Sequence, residues 1–319
     1  MWRFLLAASL LFCTAEQSLA QSWPSKPLRA IVPFSAGGAV DVIARTVLDK
    51  VSTQIGQSII VENRVGAGGT TGAASVARSD PDGYTILVHS SSHTVAPALF
   101  SKLSYDAAAD FAAVIPLANL PTVLFVSSAQ GYRDIAHFVT TAKAKAGSMN
   151  YGSGGVGNAT HLNAERFMLS AGFQATHVPF KGSPEALTEV LAQRIDFSFS
   201  TLLPGVSLLQ EGKLKALAVS SVARASALPD VPTTLEAGFP NSDYNFWVGI
   251  LAPKGTDLSI IDILYRETSK ALTLPEVKEK LRTLGADPMP LTSSQFSKLI
   301  ADEVAINREL VKAAGIKVN

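Results

Sequence analysis

The amino-acid sequence predicts an α/β protein that folds as two lobes with a cleft between them. Short apolar strands alternate with segments of helical periodicity from Leu28 onwards, the pattern of a mostly parallel sheet. The same plan of strand, glycine turn and helix begins again later in the chain, and Asn245–Leu251 has the character of a strand that returns to the first unit. We therefore expect lobe 1 to comprise residues 21–120 and 247–319, and lobe 2 to comprise residues 121–246.

The first predicted strand ends in a turn of small residues. An apolar run that begins at Leu28 breaks into Ser35-Ala36-Gly37-Gly38, and a helix with Asp41 in its first turn follows at once. Apolar residues recur in this helix at a period near 3.6, at Val40, Ile43, Ala44, Val47, Leu48, Val51 and Ile55, and Gly56 ends it. Unpaired backbone N–H groups and the helix dipole favour an anion at such a turn. We expect the turn to bind a carboxylate.

Two further strands complete the predicted first lobe. Strand Ser58–Glu62 leads through the glycine-rich turn Gly66–Gly69 into a short helix, Thr70–Arg78. Strand Tyr84–Val88 then runs into a polar turn, Ser90-Ser91-Ser92-His93. Ligands of parallel sheets bind at the carboxyl ends of the strands. The turns after the first and third strands are therefore both candidate ligand sites.

The chain is predicted to cross into the second lobe at Asn119-Leu120-Pro121, between the apolar runs Val114–Leu117 and Val123–Val126. Ser183 and Pro184 have the character of an N-cap and a first helical position. The other elements predicted for this lobe are a helix at Asp134–Ala146, a strand at Met149–Tyr151, helices at Asn158–Ser170 and Ser183–Gln193, and strands at Ala175–Phe180, Ile195–Phe199 and Leu214–Val219. Three amphipathic helices, Leu258–Leu272, Pro275–Leu284 and Ser294–Ala313, follow the return strand.

The first twenty residues have the features of a signal peptide. An apolar segment, Phe4–Cys13, follows one positive charge, and Ser18-Leu19-Ala20 fits a cleavage site before Gln21. The lone cysteine lies within this segment and is preceded by Phe12 rather than by a small residue, so we predict that the protein is not a lipoprotein. A mature chain without cysteine excludes disulfides and thiol nucleophiles. We expect an exported protein of a bacterial periplasm.

Charge and composition exclude other classes. The formal net charge is +1 without a basic block, which predicts no nucleic-acid partner. The loop Gly152–Gly157 satisfies the spacing G-x-G-x-x-G, but the next strand ends in Phe180-Lys181 and not in the acidic residue that a dinucleotide site needs. We therefore predict no cofactor and interpret the loop as an anion cradle at a helix N-terminus.

Residues in and after this loop are candidate ligand contacts. Thr160 and His161 lie in the first turn of the following helix, where they could face the cleft. His161 and Glu165 have a spacing that could hold a metal, but no third ligand is near in sequence, so we predict no metal site.

The chain lacks the sequence patterns of the common hydrolases. It contains no G-x-S-x-G elbow, no Ser-x-x-Lys pair and no His-Glu-x-x-His motif. Because catalytic triads assemble in space and not in sequence, an exported α/β hydrolase-like enzyme with a spatially assembled Ser/His site stays as the alternative. We expect no enzymatic activity.

As a set, the motifs resemble the Bug-type, or TctC-like, solute receptors of tripartite tricarboxylate transporters. The resemblance spans the mature chain in order and rests on Pro33–Asp41, Val61–Gly69, Asp80–Thr85, Tyr151–Gly155, Thr160–Leu162, Val178–Ser183, Leu228–Thr233 and Leu251–Thr256. It implies a two-lobed, periplasmic-binding-protein-like (type II) Venus flytrap that closes on a small carboxylate. The ligand-binding residues that it implies are Phe34, Ser35, Ala36, Gly37, Gly38, Ser90, Ser91, Ser92 and His93 in lobe 1, and Ser153, Gly154, Gly155, Thr160 and His161 in lobe 2. We add Asp41, Ser200 and Thr201 as candidate ligand-binding residues.

One departure from the family pattern bears on the ligand. Many relatives have an aspartate after the strand that ends here at Phe199, where this chain has Ser200 and Thr201. Without that carboxylate, a ligand ammonium would lack its partner. We therefore expect a ligand without an amine: a di- or tricarboxylate, a hydroxy acid or an aromatic carboxylate. The resemblance further implies membrane transporter subunits, or a sensor, as partners of a monomeric receptor.

Overall fold

The structure, a computed structural model, describes residues 23–313 and residue 315, so the predicted signal peptide lies outside the described residues. Strands and helices alternate through the first part of the chain. They are β1 (Leu28–Val32), α1 (Ala39–Ile55), β2 (Ile59–Asn63), α2 (Thr70–Ala77), β3 (Thr85–Ser90), α3 (Ser92–Leu99) and β4 (Phe111–Asn119). Gly56, in the left-handed conformation at φ 68°, ends α1 as predicted.

The remaining elements keep the predicted order. They are β5 (Thr122–Ser127), α4 (Ile135–Ala144), β6 (Asn150–Ser153), α5 (Ala159–Ala171), β7 (Thr176–Pro179), α6 (Ser183–Leu191), β8 (Phe197–Thr201), α7 (Val206–Gln210), β9 (Leu214–Val219), β10 (Trp247–Pro253), α8 (Leu258–Thr273), α9 (Pro275–Thr283) and α10 (Ser293–Ala313). None of these described helices combines the length and the apolar character needed to cross a membrane.

Two five-stranded mixed sheets organise the molecule, with strand orders β2-β1-β3-β10-β4 and β7-β6-β8-β5-β9. β1 is parallel to β2 and β3, and β6 is parallel to β7 and β8. β10 is antiparallel to β3 and β4, and β5 is antiparallel to β8 and β9. In each sheet four strands therefore run in one direction and one strand, β10 or β5, runs against them, so the sheets are mixed but mostly parallel in strand direction, as predicted.

The chain passes between the two sheets twice, and the two passages are hydrogen-bonded to each other. The Leu120 N–H donates to the carbonyl of Phe246 over 2.7 Å, and the Ser220 N–H donates to the carbonyl of Thr122 over 2.9 Å. Since β4 and β10 belong to one sheet and β5 and β9 to the other, we propose that lobe 1 comprises the described residues up to 120 and from 247, and lobe 2 residues 121–246.

Three local predictions were wrong. Helix α3 occupies positions that were predicted as a turn, and its residues Ser92 to Ala96 are buried, so packing fixes this helix. Gly182, with extended backbone, is the N-cap of α6, and Ser183 is its first residue. Strand β8 starts later than predicted and includes Ser200 and Thr201, because these residues pair with Val123 and Thr122 of β5.

An apolar cluster joins the lobes beside the crossing strands. Val95 of α3 packs with Leu162 of α5, with Tyr244, and with Leu310 and Val311 of α10. Helix α10 belongs by its first turns to lobe 1, where the Ser293 hydroxyl donates to the carbonyl of Val114 over 2.5 Å. Its last turns thus reach lobe 2, so the C-terminal helix packs against both lobes beside the crossing strands.

Candidate functional site

A cavity of about 420 Å³ lies between the lobes. Both lobes and the second crossing contribute to its wall. The lining residues are Phe34, Ser35, Gly37, Gly38, Ala39, Val40, Ser90 and Ser92 from lobe 1, and Asn158, Thr160, Gly182, Ser183, Pro184, Thr201, Leu203, Pro204 and Phe246 from lobe 2 and the crossing. No ionisable side chain is among the described residues that line this cavity.

Four helices begin at the wall of the cavity, two from each lobe. Lining residues stand at or next to the N-caps of α1 and α3 in lobe 1 (Gly38 and Ser91) and of α5 and α6 in lobe 2 (Asn158 and Gly182). The first N–H groups of a helix have no partner within the helix, and the helix dipole is positive at this end. The cavity therefore offers neutral donors that suit a negatively charged ligand at both lobes.

A buried carboxylate fixes the lobe 1 loop Phe34–Gly38. Asp41, 2 % exposed, accepts from the Gly37 N–H over 2.8 Å and from Asn63 Nδ2 over 2.9 Å. The same amide of Asn63 donates to the carbonyl of Phe34 over 2.9 Å. Burial acts to raise the pKa of Asp41, but hydrogen bonds from Arg45, Gly37 and Asn63 outweigh it and hold the pKa below its ordinary value. Asp41 thus does not line the cavity but orients the loop that does.

Neutral groups fix the lobe 2 loop Gly152–Gly157. The Gly154 N–H donates to Thr160 Oγ1 over 3.0 Å, and the Gly155 N–H donates to Ser153 Oγ over 3.1 Å. The Gly157 N–H donates to His161 Nδ1 over 3.0 Å. Ser153 and His161 are buried and do not line the cavity, so they support the loop from behind.

His161 and His177 form a stacked imidazole pair beneath this loop, with ring centroids 3.8 Å apart. Burial lowers the pKa of His161 to about 3, with a further contribution from His177, and burial lowers the pKa of His177 to about 4. Both rings are therefore neutral at pH 7, which the close stacking requires. His161 Nε2 lies 3.7 Å from Glu165 Oε1. Across the described part of the chain, no group of three or more His, Cys, Asp or Glu side chains could hold a metal ion.

Among the described residues, one Ser/His contact joins residues far apart in sequence and could serve the alternative of a hydrolase-like enzyme, that of Ser153 with His177. Ser153 Oγ lies 2.6 Å from His177 Nε2. However, Ser153 is 0 % exposed, and its hydroxyl also donates to the carbonyl of Gly155 over 3.1 Å. A nucleophile must reach its substrate, so this geometry favours a role in holding the loop.

The lobe 1 histidine predicted as a ligand contact is part of the core. His93 is 0 % exposed, its Nε2–H donates to the carbonyl of Ala107 over 2.8 Å, and its ring packs edge-on against Phe111. Burial lowers its pKa to about 4. His89 lies between this ring and that of Phe34, and burial, with His93 nearby, lowers its pKa to about 3.

The structure brings about half of the predicted site residues to the cavity wall. Those that line it are Phe34, Ser35, Gly37, Gly38, Ser90, Ser92, Thr160 and Thr201. Those that do not line it are Ala36, Asp41, Ser91, His93, Ser153, Gly154, Gly155, His161 and Ser200. Except for Ala36 and the two glycines, the latter are buried. Most of them lie behind the loops, because adjacent residues of a loop cannot all face the same side.

Sequence reasoning missed lining residues that come from other segments. They are Ala39, Val40, Asn158, Gly182, Ser183, Pro184, Leu203, Pro204 and Phe246. The start of α6 after a parallel strand is a signal that could have identified Gly182 and Ser183, since it repeats the geometry of the α1 turn. Phe246 could not have been assigned, because only the return of the chain between the lobes brings it to the cavity.

Comparison with known proteins identifies the family. The profile of the tripartite tricarboxylate transporter family receptor, TctC, matches residues 43–316. The UPF0065 protein in the tcbD–tcbE intergenic region of Pseudomonas sp. strain P51 is 36% identical, over 89% of this chain and 85% of its own length. Protein BugT of Bordetella pertussis is 32% identical, over 100% of this chain and 99% of its own length.

Solved structures agree with the fold. MatC from Rhodopseudomonas palustris with bound malate has a TM-score of 0.79 and 31% identity, covering 91% of this chain and 100% of its own. R. palustris Rpa4515 with adipate has a TM-score of 0.82 and 30% identity, covering 92% of this chain and 99% of its own. Both structures share the fold of this chain over nearly its whole length. The chain belongs to the TctC family of tripartite tricarboxylate transporter receptors.

Proposed function

We propose that this protein is a periplasmic receptor that captures a small carboxylate between its lobes. The observation that carries the proposal is the convergence of four helix N-termini, two from each lobe, on a cavity without ionisable side chains. Each such N-terminus stabilises a nearby negative charge by about 0.3–1 kcal/mol, and more where the site is partly buried.

Neutral donors can satisfy a buried carboxylate. Removing a carboxylate from water is costly unless its oxygens accept hydrogen bonds. Ser35 and Ser92 in lobe 1, and Ser183 and Thr201 in lobe 2, add side-chain hydroxyls to the backbone N–H groups at the helix starts. With donors on both lobes, a ligand that carries a carboxylate at each end would bridge the cavity and favour the closed arrangement.

The residues that line the cavity also disfavour a ligand that carries an amine. No Asp or Glu lines the cavity within the described residues, and Thr201 stands where a carboxylate could have met an ammonium group. A buried cation without an anionic partner is strongly disfavoured. We therefore propose a ligand without an amine: a dicarboxylate or tricarboxylate, a hydroxy acid or an aromatic carboxylate.

The relatives support this ligand class. MatC was solved with malate and Rpa4515 with adipate, and both are similar to this chain over nearly its whole length. The family description supports delivery to a tripartite transporter. We further propose that residues 1–20 direct export, that the mature receptor is a monomer, that its partners are membrane transporter subunits, and that it has no catalytic role.

The test is a thermal-shift screen of residues 21–319, followed by isothermal titration. Adipate, malate, succinate and benzoate would be compared with sugars and nucleotides. A ligand at 100 times its Kd adds about 2.7 kcal/mol of stability, enough for a clear shift in Tm. Two matched pairs of ligands are compared. The affinities for succinate and aspartate test the effect of an added amine, and the affinities for succinate and succinamide test the effect of removing the negative charges.

We expect at least one carboxylate to shift Tm, whereas its amino and amide analogues do not. Stabilisation by sugars or nucleotides alone would contradict the proposed function. Tight binding of aspartate with weaker binding of succinate would leave a carboxylate receptor but contradict the exclusion of amines.

A further inference from the structure

Outside the ligand cavity, a leucine of lobe 1 rests on a glycine of lobe 2. Leu99, the last residue of α3, contacts Gly157, which precedes α5. A Cβ atom at Gly157 would overlap the Leu99 side chain, whose Cγ would lie 3.5 Å away. Gly157 also has a φ of 73°. The overlap falls on the end of the Leu99 side chain, so a side chain at position 157 requires Leu99 to move or the two lobes to separate.

In a second contact the two lobes exchange roles: the leucine belongs to lobe 2 and the glycine to lobe 1. A Cβ atom at Gly285, which follows α9, would lie 3.0 Å from both Cβ and Cδ2 of Leu202, the residue after β8. Gly285 has a φ of 69°. Next to it, the Ser226 hydroxyl of lobe 2 donates to Asp287 Oδ1 of lobe 1 over 2.5 Å.

We infer that these two leucine-on-glycine contacts hold the lobes in the arrangement of this structure, which we take as the ligand-binding one, and so determine ligand affinity from outside the cavity. The inference rests on the proposed function only for its ligand readout. None of Leu99, Gly157, Leu202 and Gly285 lines the cavity. A ligand that requires the closed form binds with an apparent Kd equal to its intrinsic Kd divided by the closed fraction. Obstructing either contact therefore weakens binding by separating the lobes and not by removing a residue that lines the cavity.

The experiment compares alanine substitutions at glycines that share the strained backbone but differ in surroundings. Gly157→Ala in lobe 2 is matched by Gly131→Ala, whose φ is 71° and whose Cβ would meet nothing within 4 Å. Gly285→Ala in lobe 1 is matched by Gly56→Ala, with a φ of 68° and equally open space. Each pair carries the same cost of a left-handed alanine. The difference within a pair thus isolates the contact between the lobes.

Two readouts are used on each purified variant of residues 21–319: small-angle X-ray scattering without ligand, and isothermal titration with adipate. We expect Gly157→Ala and Gly285→Ala to increase the radius of gyration relative to their matched controls and to weaken adipate binding about tenfold. Gly131→Ala and Gly56→Ala should stay within about twofold of the unsubstituted protein. Adding Leu99→Ala to Gly157→Ala removes the obstruction, and the double variant should return to the values of Gly131→Ala.

Equal scattering curves for Gly157→Ala and Gly131→Ala, and for Gly285→Ala and Gly56→Ala, would overturn the inference. So would a double variant that stays as open as Gly157→Ala. If the unsubstituted protein binds no carboxylate in the screen, the proposed function fails, while the scattering comparison still decides whether the contacts hold the lobes together.

Discussion

The loop Phe34–Gly38 of lobe 1 and the loop Gly152–Gly157 of lobe 2 face the same cleft, but different chemistry fixes them. An ionised, buried carboxylate, Asp41, anchors the first loop with help from Asn63 and Arg45. Hydroxyls and the neutral ring of His161 anchor the second. In both lobes the groups that fix the loop accept hydrogen bonds from several of its backbone N–H groups. The two ways of fixing a loop differ in their response to acid.

The largest expected effect is therefore a loss of stability as the pH falls from 7 to 5. The pKa values of His89 and His161 in the folded protein are about 3, and those of His93 and His177 are about 4, below the ordinary 6.5. On acidification these histidines are therefore protonated in the unfolded chain at a higher pH than in the folded protein. Each ring then lowers the free energy of unfolding by about 1.4 kcal/mol per pH unit below 6.5. Urea titrations at several pH values measure the slope.

Glu303, a buried acid, makes the free energy of unfolding depend on pH in the direction opposite to the histidines and serves as a control. Glu303 accepts from Trp247 Nε1 over 2.9 Å and from Thr94 Oγ1 over 3.0 Å, and burial raises its pKa to about 7. Its contribution to stability is present below pH 4.5 and is lost as the pH rises through 7. Glu303→Gln should therefore stabilise the protein at pH 8 and steepen the net loss in acid. A flat profile between pH 7 and 5 in both proteins would contradict the assignment of neutral histidines.

The second effect is the loss of the lobe 1 anchor. Asp41→Ala removes the acceptor of the Gly37 N–H and of Asn63, and leaves Arg45 without its partner, so we expect a loss of about 2–3 kcal/mol in the free energy of unfolding. Because Asp41 keeps a low pKa, this loss should be the same at pH 7 and at pH 5.5. Adipate binding should weaken as the loop loosens. An affinity equal to that of the unsubstituted protein would mean that the loop does not hold the ligand.

The corresponding substitution in lobe 2 should cost less and should depend on pH. His161→Phe keeps the stack on His177 but removes the acceptor of the Gly157 N–H, a loss of about 1–2 kcal/mol at pH 7. Since Phe takes up no proton, the variant should lose less stability than the unsubstituted protein on acidification. His137→Phe is the matched control, because His137 on α4 is half-buried and its Nδ1 also accepts from a backbone N–H, that of Arg133, over 3.2 Å. Parallel pH profiles for His161→Phe and the unsubstituted protein would refute the difference between the loops.

The smallest effect concerns the Ser153–His177 contact. Ser153→Ala removes a buried hydroxyl and should lower the free energy of unfolding by about 1 kcal/mol. If the pair only supports the loop, hydrolysis of p-nitrophenyl acetate by the variant should equal that by the unsubstituted protein. A rate that falls to the buffer background in the variant alone would instead support the hydrolase-like alternative.

The sequence by itself was sufficient for the order of the strands and of most helices, the positions of both glycine loops and the family; helices α3 and α7 were not predicted. Strands and helices follow from local periodicity, and the turns follow from glycine and proline, so these features depend on neighbouring residues only. The absence of cysteine after position 13 and of a basic block likewise follows from the sequence alone. Even the crossing at Asn119–Pro121 could be placed, because two apolar runs flank it.

Tertiary structure alone decided which side chains line the cavity between the lobes. Ser91 and His93 stand in a predicted ligand turn but are buried, because α3 packs against α10, whose residues are about 200 positions away in sequence. Phe246 and Pro204 line the cavity because the crossing strands and the end of β8 bring them there. The contacts of Leu99 with Gly157 and of Leu202 with Gly285 depend on how two lobes meet. Local pattern cannot encode such contacts, since each joins residues whose only relation is their place in the assembled fold.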